Sequence, residues 1–464
     1  MTISRHQLLS QFGQAVRGRS AVVFVGAGMS MGAGLPSWDK LIEPLRLEAN
    51  VPASVTDAAL AAEYIAAELE NSRIKEVLLE QLTKNPAEPT KAMKAIMALP
   101  VSEYWTTNYD TLLEEATQEH IGRIIADNDY RTTRDHGMRK HLTKMHGSLS
   151  LPSDGARQWE SDPVLRRSDF EQYGYNHPLI WSVISAQFLT RSFLFLGLSF
   201  DDPNLNLLLR IARALPTGIA GPRHYAVLQK PIDPTAARVF DLLTGDLERS
   251  GIDVFPIDSF DELDSLSGAL LIQARDANVF VSGSGEGESF EAMCAALGTR
   301  LSSLANSISL LSFGGPAALS VSNSLKAALP EGSYDPERLR FYFRSNPNGA
   351  PIEFKERVGT AVFTEQSLES MRASVLNQVR VMLVVGGGST TRQESERASE
   401  DGIIVVPVAA SGGTAKAIWE AGSAESLQLG SQASLDLWAA LDSNDIDIAA
   451  GAAVEIISQV LFGT

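Results

Sequence analysis

Cysteine is nearly absent from this chain, which contains one, Cys294, among 464 residues. A lone cysteine excludes an intramolecular disulfide and any zinc site made of several thiolates, and it fits a reducing compartment. No apolar run reaches the roughly 20 residues that span a bilayer. The first segment, MTISRHQLLSQFGQAV, also lacks the apolar stretch of a signal peptide. We therefore expect a cytoplasmic protein without disulfides that does not enter a membrane.

Positive charge and histidine are also scarce. The chain has 39 Lys and Arg residues against 56 Asp and Glu residues, for a formal net charge of −17. Because phosphate backbones bind to basic surfaces, this balance argues against nucleic acid as the main partner. All seven histidines lie before Gln229, so the second half has no histidine for acid–base chemistry near neutral pH.

The length and the apolar pattern predict two α/β domains. A chain of 464 residues is too long for one ordinary core. Short apolar strands alternate with helices, which is typical of a doubly wound parallel sheet. We expect one Rossmann-like domain over residues 1–275 and a second over residues 276–464, where five more strands lead into polar loops. The alanine- and leucine-rich region 38–99 predicts a helical insertion in the first domain, and it is our candidate for a moving part.

The chain is organised around AVVFVGAGMSMGAGLPSW, residues 21–38. An apolar strand breaks directly into a glycine turn, which lets the backbone approach a phosphate and leaves N–H groups open to an anion. A second loop follows, stiffened by Pro36, in which Trp38 is able to cover a ligand ring. An ordinary strand–turn–helix connection would have a similar sequence, so this stretch alone leaves both interpretations open.

Polar residues also stand at the ends of later strands. Asn108 follows YWTT, His146 ends HLTKMHG, and the loop GLSFDDPN follows SFLFL. Parallel sheets bind ligands at the carboxyl ends of their strands. An isolated asparagine is more often a turn residue and a lone histidine more often structural, yet a histidine at a strand end is well placed for proton transfer. Asp110, and one of Asp201 and Asp202, are expected to cap the helices that follow.

These motifs resemble the sirtuin family over about residues 4–258. GAG-x-S followed by G-x-P-S is similar to the sirtuin hallmark, and TTNYD, HG and FLGLSFDDPN follow in the sirtuin order. The resemblance implies that NAD+ binds as a substrate, that Asn108 orients the nicotinamide ribose and the attacking water, and that His146 is the catalytic histidine. It also implies cofactor contacts from Gly26, Ala27, Gly28, Met29, Ser30, Pro36, Ser37, Trp38, Thr107, Asp110, Gly197, Ser199 and Asp201.

One departure from the family pattern concerns the chemistry. Sirtuin deacylases carry a four-cysteine zinc module after the histidine, whereas this chain has only Cys294, far outside that region. TTNYD and FLGLSFDDPN resemble the bacterial sirtuin-like group of anti-phage defence instead. We therefore expect hydrolysis of NAD+ to nicotinamide and ADP-ribose without a metal. The alternatives are a non-catalytic NAD- or nucleotide-binding defence component and, less favoured, an NAD-dependent protein deacylase.

The second half carries glycine loops and basic residues suited to phosphates. Any one basic residue is more often a solvated surface charge, but three glycines after VMLVV leave backbone N–H groups open. FVSGS, VVGGGSTTRQE and VVPVAASGGTAKAIWE resemble the SLOG family of nucleotide-sensing domains. The resemblance implies signal contacts from Ser282, Gly283, Ser284, Arg344, Arg372, Gly386, Gly387, Gly388, Ser389, Thr390, Glu394, Gly412 and Lys416.

A sirtuin-like domain followed by a SLOG domain is similar to the NAD-degrading effectors of Thoeris anti-phage systems. The resemblance implies that a cyclic ADP-ribose isomer, made by a TIR-domain partner, binds the second domain and switches on hydrolysis in the first. It also implies a homo-oligomer, a tetramer or a higher assembly. Neither nucleic acid nor a membrane is an expected partner.

Overall fold

The computed structural model describes residues 2–117, 121–135, 140–152, 156–200, 202–213, 221–345, 358–427, 429 and 431–462. The chain divides into two compact units, Met1–Ala274 (the N-terminal unit) and Arg275–Thr464 (the C-terminal unit). The boundary expected from the sequence lies one residue further along the chain.

The N-terminal unit is built on a parallel sheet whose strands, within the described residues, follow the order β3-β4-β2-β1-β5-β6-β7. Strand order reverses beside β1, so helices connect the strands on both sides, as in a doubly wound fold. The strands are β1 (Ala21–Val25), β2 (Glu103–Thr106), β3 (Gly122–Ile124), β4 (His141–Lys144), β5 (Ser192–Leu196), β6 (His224–Gln229) and β7 (Ile252–Ile257).

Strand β1 shows why the sheet is buried on both faces. All five of its residues are buried. Val23 and Val25 pack into the core on one face, with helices that precede β1 and β2, while Val22 and Phe24 pack into the core on the other face. A strand covered on both faces is expected to be continuously apolar, which is the pattern of AVVFV.

The helices of the N-terminal unit cover those two faces. Their bounds are α1 (Arg5–Arg17), α2 (Ala27–Met31), α3 (Trp38–Glu48), α4 (Ala58–Glu68), α5 (Asn71–Thr83), α6 (Lys91–Met97), α7 (Leu112–Glu115), α8 (Asp129–Asp135), α9 (Arg167–Glu171), α10 (Tyr173–Asn176), α11 (Pro178–Thr190), α12 (Pro203–Arg213), α13 (Pro234–Arg249) and α14 (Glu262–Gln273).

The helical insertion between β1 and β2 consists of two parts. Helices α3, α4 and α5 share a small core of their own, which also takes in Tyr109 and Leu165. Helix α6 instead contributes Met93, Ile96 and Met97 to the main core beneath the sheet. The separate subdomain therefore ends before α6, which is shorter than the insertion over residues 38–99 expected from the sequence.

The C-terminal unit repeats the architecture with a parallel sheet of order β11-β10-β9-β8-β12-β13 in the part of the chain that is described. Its strands are β8 (Asn278–Ser284), β9 (Ser309–Ser312), β10 (Leu339–Arg344), β11 (Thr360–Thr364), β12 (Val381–Gly386) and β13 (Ile404–Val408). Its helices are α15 (Glu288–Leu301), α16 (Pro316–Ala328), α17 (Leu368–Leu376), α18 (Ser389–Glu400), α19 (Gly413–Ala421), α20 (Ser431–Ala440) and α21 (Ile446–Phe462).

The two sheets confirm the predicted fold class of two Rossmann-like α/β units. The alternation along β12 is the same as along β1, because Leu383 and Val385 face one core while Met382 and Val384 face the other. Two short strands, β3 and β11, were not predicted. Among the described residues, no helix combines the length and the apolar character needed to cross a membrane.

Candidate active site

Two glycine loops meet at the carboxyl ends of β1 and β5. Gly26 N donates to Leu196 O at 2.8 Å, and Gly28 N donates to Gly197 O at 2.9 Å. Gly197 has a φ of +67°, and a Cβ placed there would lie 2.6 Å from Met29 N, so only glycine fits. The expectation of open N–H groups is therefore wrong for Gly26 and Gly28, whose amides bind carbonyl oxygens of the protein itself.

Asn108 lies beside this turn with its amide held in one orientation. Its side chain is buried, and Nδ2 donates to Gly26 O at 3.1 Å and to Ser30 Oγ at 2.9 Å. Oδ1 is buried and has no hydrogen-bond partner among the described residues. Because both hydrogens of Nδ2 are used, Oδ1 remains as an acceptor for a hydroxyl group or a water molecule of a bound ligand.

Asp110 supports Asn108 through Ser30. Ser30 Oγ donates to Asp110 Oδ2 at 2.8 Å, and Asp110 Oδ1 accepts from Leu112 N at 3.1 Å, where α7 begins. Burial raises the pKa of the Asp110 carboxyl, while Lys144 and the two hydrogen bonds act in the opposite direction. The carboxylate thus orients Ser30 and, through it, the Asn108 amide.

His146 lies at the end of the neighbouring strand. Strands β2 and β4 pair with Thr106 opposite Lys144, so Asn108 and His146 each lie two residues beyond the same rung of the sheet. His146 is 4% exposed and packs edge-on against Phe170, with ring centroids 5.2 Å apart. Burial lowers the pKa of His146 below its usual 6.5, so the imidazole is neutral at pH 7 and able to accept a proton.

Asp202 faces His146, a relationship that sequence reasoning missed. His146 Nε2 lies 3.2 Å from Asp202 Oδ2, but out of line for a hydrogen bond. Asp202 Oδ1 accepts from Asn204 N at 2.8 Å and from Leu205 N at 3.2 Å, so the same carboxylate caps α12. The sequence DDPN predicts that Asp202 caps the helix. It does not predict the contact with His146, which lies 56 positions earlier. Asp201, the predicted cofactor contact, lies outside the described residues.

The remaining predicted cofactor residues divide between the site and the core. Trp38, at the start of α3, packs against Tyr109 with ring centroids 6.0 Å apart, so one face of its ring covers the residue after Asn108. Met29 is a core residue, 2% exposed, and its side chain therefore offers no cofactor contact. Ala27 and Ser199 are exposed, while Pro36, Ser37 and Thr107 are half-buried at the same edge of the sheet.

In the C-terminal unit, a second polar group lies at the carboxyl ends of β8 and β12. Ser282 Oγ donates to Glu394 Oε2 at 2.6 Å, and Arg372 Nη2 lies 3.7 Å from Glu394 Oε1. Burial raises the pKa of Glu394, while Ser282 and Arg372 oppose that rise. Gly387 N donates to Ser284 O at 2.7 Å and Gly386 N donates to Ser411 Oγ at 2.6 Å. The expectation of open N–H groups is therefore wrong for these two glycines as well.

The other residues predicted to bind a signal lie on strands, loops and helix starts of the C-terminal unit. Gly388 and Gly412 precede the first turns of α18 and α19. Lys416 is paired with Asp442, and its ammonium lies 4.4 Å from the centroid of the Trp419 ring, so its charge is already neutralised within the unit. Gly283 and Gly386 are buried in β8 and β12, whereas Arg344, Ser389 and Thr390 are exposed.

Among the described residues, no three His, Cys, Asp or Glu side chains form a group that could hold a metal ion. His141 and His146 lie at opposite ends of β4, and His141 Nδ1 lies 3.3 Å from Glu103 Oε1 instead. The N-terminal unit thus offers a ligand the Asn108 amide, the His146 imidazole and the Asp202 carboxylate.

Comparison with known proteins agrees with this description. Residues 102–252, which include Asn108, His146 and Asp202, match the family model described as a SIR2-like domain. The chain is 30% identical over 293 residues to a Bacillus cereus protein named NAD(+) hydrolase ThsA, covering 60% of this chain and 59% of that protein. The protein of the same name from Acinetobacter baumannii is 31% identical over 279 residues, covering 56% of this chain and 55% of its own length.

A more distant relative from Bacillus subtilis is named Defense-associated sirtuin 2; it is 24% identical over 216 residues, covering 45% of this chain and 21% of that protein. The chain therefore spans less than two thirds of the length of the curated relatives it matches. These matches confirm the predicted resemblance to sirtuin-like defence proteins. The SLOG resemblance of the second half stays a prediction.

Proposed function

We propose that the N-terminal unit hydrolyses NAD+ to nicotinamide and ADP-ribose. Two buried polar atoms at the carboxyl ends of β2 and β4, Asn108 Oδ1 and His146 Nε2, make no hydrogen bond within the described residues, and they support this function most strongly. Relatives bearing the name NAD(+) hydrolase ThsA point to the same activity. The activity in their names is a proposal for this chain, because the matched region covers only part of this chain and of each relative.

In the proposed reaction, water replaces nicotinamide at C1′ of the ribose. The glycosidic C–N bond breaks, its electron pair leaves with nicotinamide, and the water oxygen bonds to C1′. Asn108 Oδ1 would accept a hydrogen bond from that water or from a ribose hydroxyl. His146, neutral at pH 7 because burial lowers its pKa, would take up the proton that is released. Asp202 would stabilise the imidazolium formed in this step.

Release of nicotinamide by the purified full-length protein tests this proposal. We expect Asn108→Ala and His146→Ala to lower the turnover rate by about a hundredfold or more, the usual effect of losing a general base or a positioning group. His6→Ala provides a control, since this imidazole is exposed on α1 and has no assigned role. Undiminished hydrolysis by either of the first two variants would remove that residue from the mechanism.

Two rival functions predict different outcomes. A non-catalytic nucleotide-binding component would bind NAD+ without releasing nicotinamide. A protein deacylase would release nicotinamide only when an acyl-lysine peptide is supplied. Measuring nicotinamide with and without such a peptide separates both rivals from a hydrolase.

We further propose that the C-terminal unit senses a cyclic ADP-ribose isomer. Arg372, Ser282 and Glu394 place a cation, a hydroxyl and a carboxylate at one edge of the sheet, which suits the phosphates and ribose hydroxyls of such a molecule. The signal would come from a TIR-domain partner in the cytoplasm, and the responding form would be a homo-oligomer of four or more chains. Titrating cyclic ADP-ribose isomers while following NAD+ consumption and particle mass by light scattering tests both parts.

A further inference from the structure

A buried ion cluster lies beneath the two proposed catalytic loops. Lys144, the last residue of β4, is 1% exposed. Its Nζ donates to Asp110 O and to Glu114 Oε1, the latter at 3.2 Å. Lys144 stands two residues before His146, and Asp110 stands two residues after Asn108. One side chain therefore connects the strand that carries His146 to the loop that carries Asn108.

Arg123 ties the same carboxylate to the other side of His146. Arg123 Nε donates to Glu114 Oε1 at 3.0 Å, and its Nη2 donates to Ser148 Oγ at 2.8 Å and Leu149 O at 3.1 Å. Glu114 is 8% exposed, and its side chain thus joins residues on both sides of His146 to α7. Burying three charges is costly unless they are paired, so the geometry of this cluster is tightly defined.

The cluster also acts on Asp110 electrostatically. The groups that face the Asp110 carboxylate are Ser30 from α2, Lys144 from β4, and Glu114 with the Leu112 amide from α7. The Lys144 ammonium favours the charged form of Asp110 and opposes the rise in pKa caused by burial, whereas the Glu114 carboxylate reinforces that rise. The ionised form of Asp110 is the better acceptor for the hydrogen bonds from Ser30 and from Leu112 N.

We propose that Lys144 is a positioning residue of the reaction: its ammonium fixes the Asn108 loop against the His146 strand and so keeps Asp110 in place to orient Ser30 and Asn108. This inference rests on the proposed hydrolysis of NAD+. It adds a buried residue that acts through Asp110. Loss of the ammonium affects the orientation of Asn108 while leaving the cofactor loops in place.

The pH dependence of kcat distinguishes this role from a merely structural one. In Lys144→Met the pKa of Asp110 rises, so the acid limb of the kcat profile moves to higher pH. We expect kcat to fall about tenfold or more because the reacting groups are misplaced, while KM for NAD+ changes less than about threefold. Lys140→Met is the matched control, since Lys140 adjoins the opposite end of β4 and donates to Met97 O. It should keep the wild-type profile.

Glu114→Gln tests the same electrostatics with the opposite sign. Removing this negative charge lowers the pKa of Asp110, so the acid limb moves to lower pH, a direction that general loosening of the fold does not predict. Lys144→Arg keeps the positive charge and should leave the acid limb in place. Thermal unfolding establishes that each variant is folded. If Lys144→Met does not fold, Glu114→Gln decides the question, because an acid limb that stays or moves upward overturns the proposal.

Two results separate this inference from the function on which it rests. Wild-type protein that never releases nicotinamide, with or without a cyclic ADP-ribose isomer, overturns both. An active wild-type protein whose Lys144→Met variant retains its kcat and its pH profile overturns the positioning role of Lys144 alone. A profile shifted as expected in Lys144→Met and oppositely in Glu114→Gln supports it.

Discussion

At the scale of single residues, the site is defined by buried polar atoms that make no hydrogen bond. Asn108 Oδ1 and His146 Nε2 are both such atoms within the described residues. Leaving such an atom unsatisfied costs about 1–3 kcal/mol, so a ligand that supplies the missing partner recovers this free energy on binding. The arrangement therefore favours a ligand with hydroxyl groups.

Ser30 links Asn108 to Asp110 by hydrogen bonds, so its loss should lower kcat. Ser30→Ala removes the acceptor of one Asn108 Nδ2 hydrogen and the donor to Asp110. We expect kcat to fall about tenfold or more, because the Asn108 amide loses its orientation. Steady-state kinetics of nicotinamide release measure this. Ser182→Ala, which removes a hydroxyl bonded to Pro178 O on α11, should leave kcat unchanged.

Asp202 should set the pH at which His146 works. Burial lowers the pKa of His146 and the Asp202 carboxylate opposes this, so Asp202→Asn lowers the pKa further. The titration of the His146 imidazole, followed by NMR, then moves to lower pH, while the maximal rate falls because the imidazolium loses its partner. Asp233→Asn, which alters the cap of α13, is the control. A His146 titration that moves to higher pH would show that Asp202 does not act on His146 as inferred.

Part of the site could be predicted because the end of an apolar strand can be recognised from a few neighbouring residues. Asn108 and His146 follow apolar strands, and parallel pairing then brings the ends of β2 and β4 together. The contact between His146 and Asp202, and the role of Lys144, depend on which strands are neighbours, which no local pattern contains. Met29 was assigned to the cofactor because its turn matched the motif, whereas helix α2 directs this apolar side chain into the core.

At the scale of elements, the glycine loops after β1 and β5 hold the site together by close backbone contact. Gly197→Ala should destabilise the protein for two reasons, its φ of +67° and the overlap of the new Cβ with Met29 N. Gly251→Ala separates the cost of the backbone conformation from the cost of the overlap, because Gly251 has a φ of +81° but open space around its Cβ position. Chemical denaturation should show a loss of about 1–2 kcal/mol for Gly251→Ala from the backbone alone.

The Gly197 variant should lose a further 1–3 kcal/mol, roughly the usual cost of overpacking. Equal losses for the two variants would mean that the loops are free to move apart. In that case the close approach of Gly197 to Met29 does not constrain the site.

The elements that the sequence pattern missed are the least apolar ones. Strand β3 is three residues long and contains Arg123, whose side chain belongs to the ion cluster. Strand β11 is an edge strand in which exposed and half-buried residues alternate, so it lacks the apolar run that marks β12. Central strands can be predicted from continuous burial, whereas edge strands depend on a partner that is distant in sequence.

At the scale of the whole molecule, two units of similar architecture carry different functional groups at the ends of their strands. The histidines lie before Gln229, so the C-terminal unit offers a carboxylate, a hydroxyl and an arginine without an imidazole. That combination suits binding rather than proton transfer. The proposed division of labour assigns hydrolysis to the N-terminal unit and sensing to the C-terminal unit.

Glu394→Gln should therefore affect activation without affecting the chemistry. The variant retains Asn108 and His146 but weakens the group formed with Ser282 and Arg372. We expect the concentration of cyclic ADP-ribose isomer that gives half-maximal activity to rise about tenfold or more, equivalent to about 1.4 kcal/mol of binding free energy. The maximal rate should be unchanged. Glu400→Gln, at the exposed end of α18, is the control.

The central claim, that water attacks NAD+ in the N-terminal unit, is tested most directly by isotope labelling. The full-length protein is incubated with NAD+ and a cyclic ADP-ribose isomer in water enriched in oxygen-18. The masses of the products are then measured by mass spectrometry. The account predicts nicotinamide together with ADP-ribose that carries one oxygen-18 atom, and about a hundredfold less of both products from Asn108→Ala in the same time. NAD+ that stays intact, or ADP-ribose formed without the label, would contradict it.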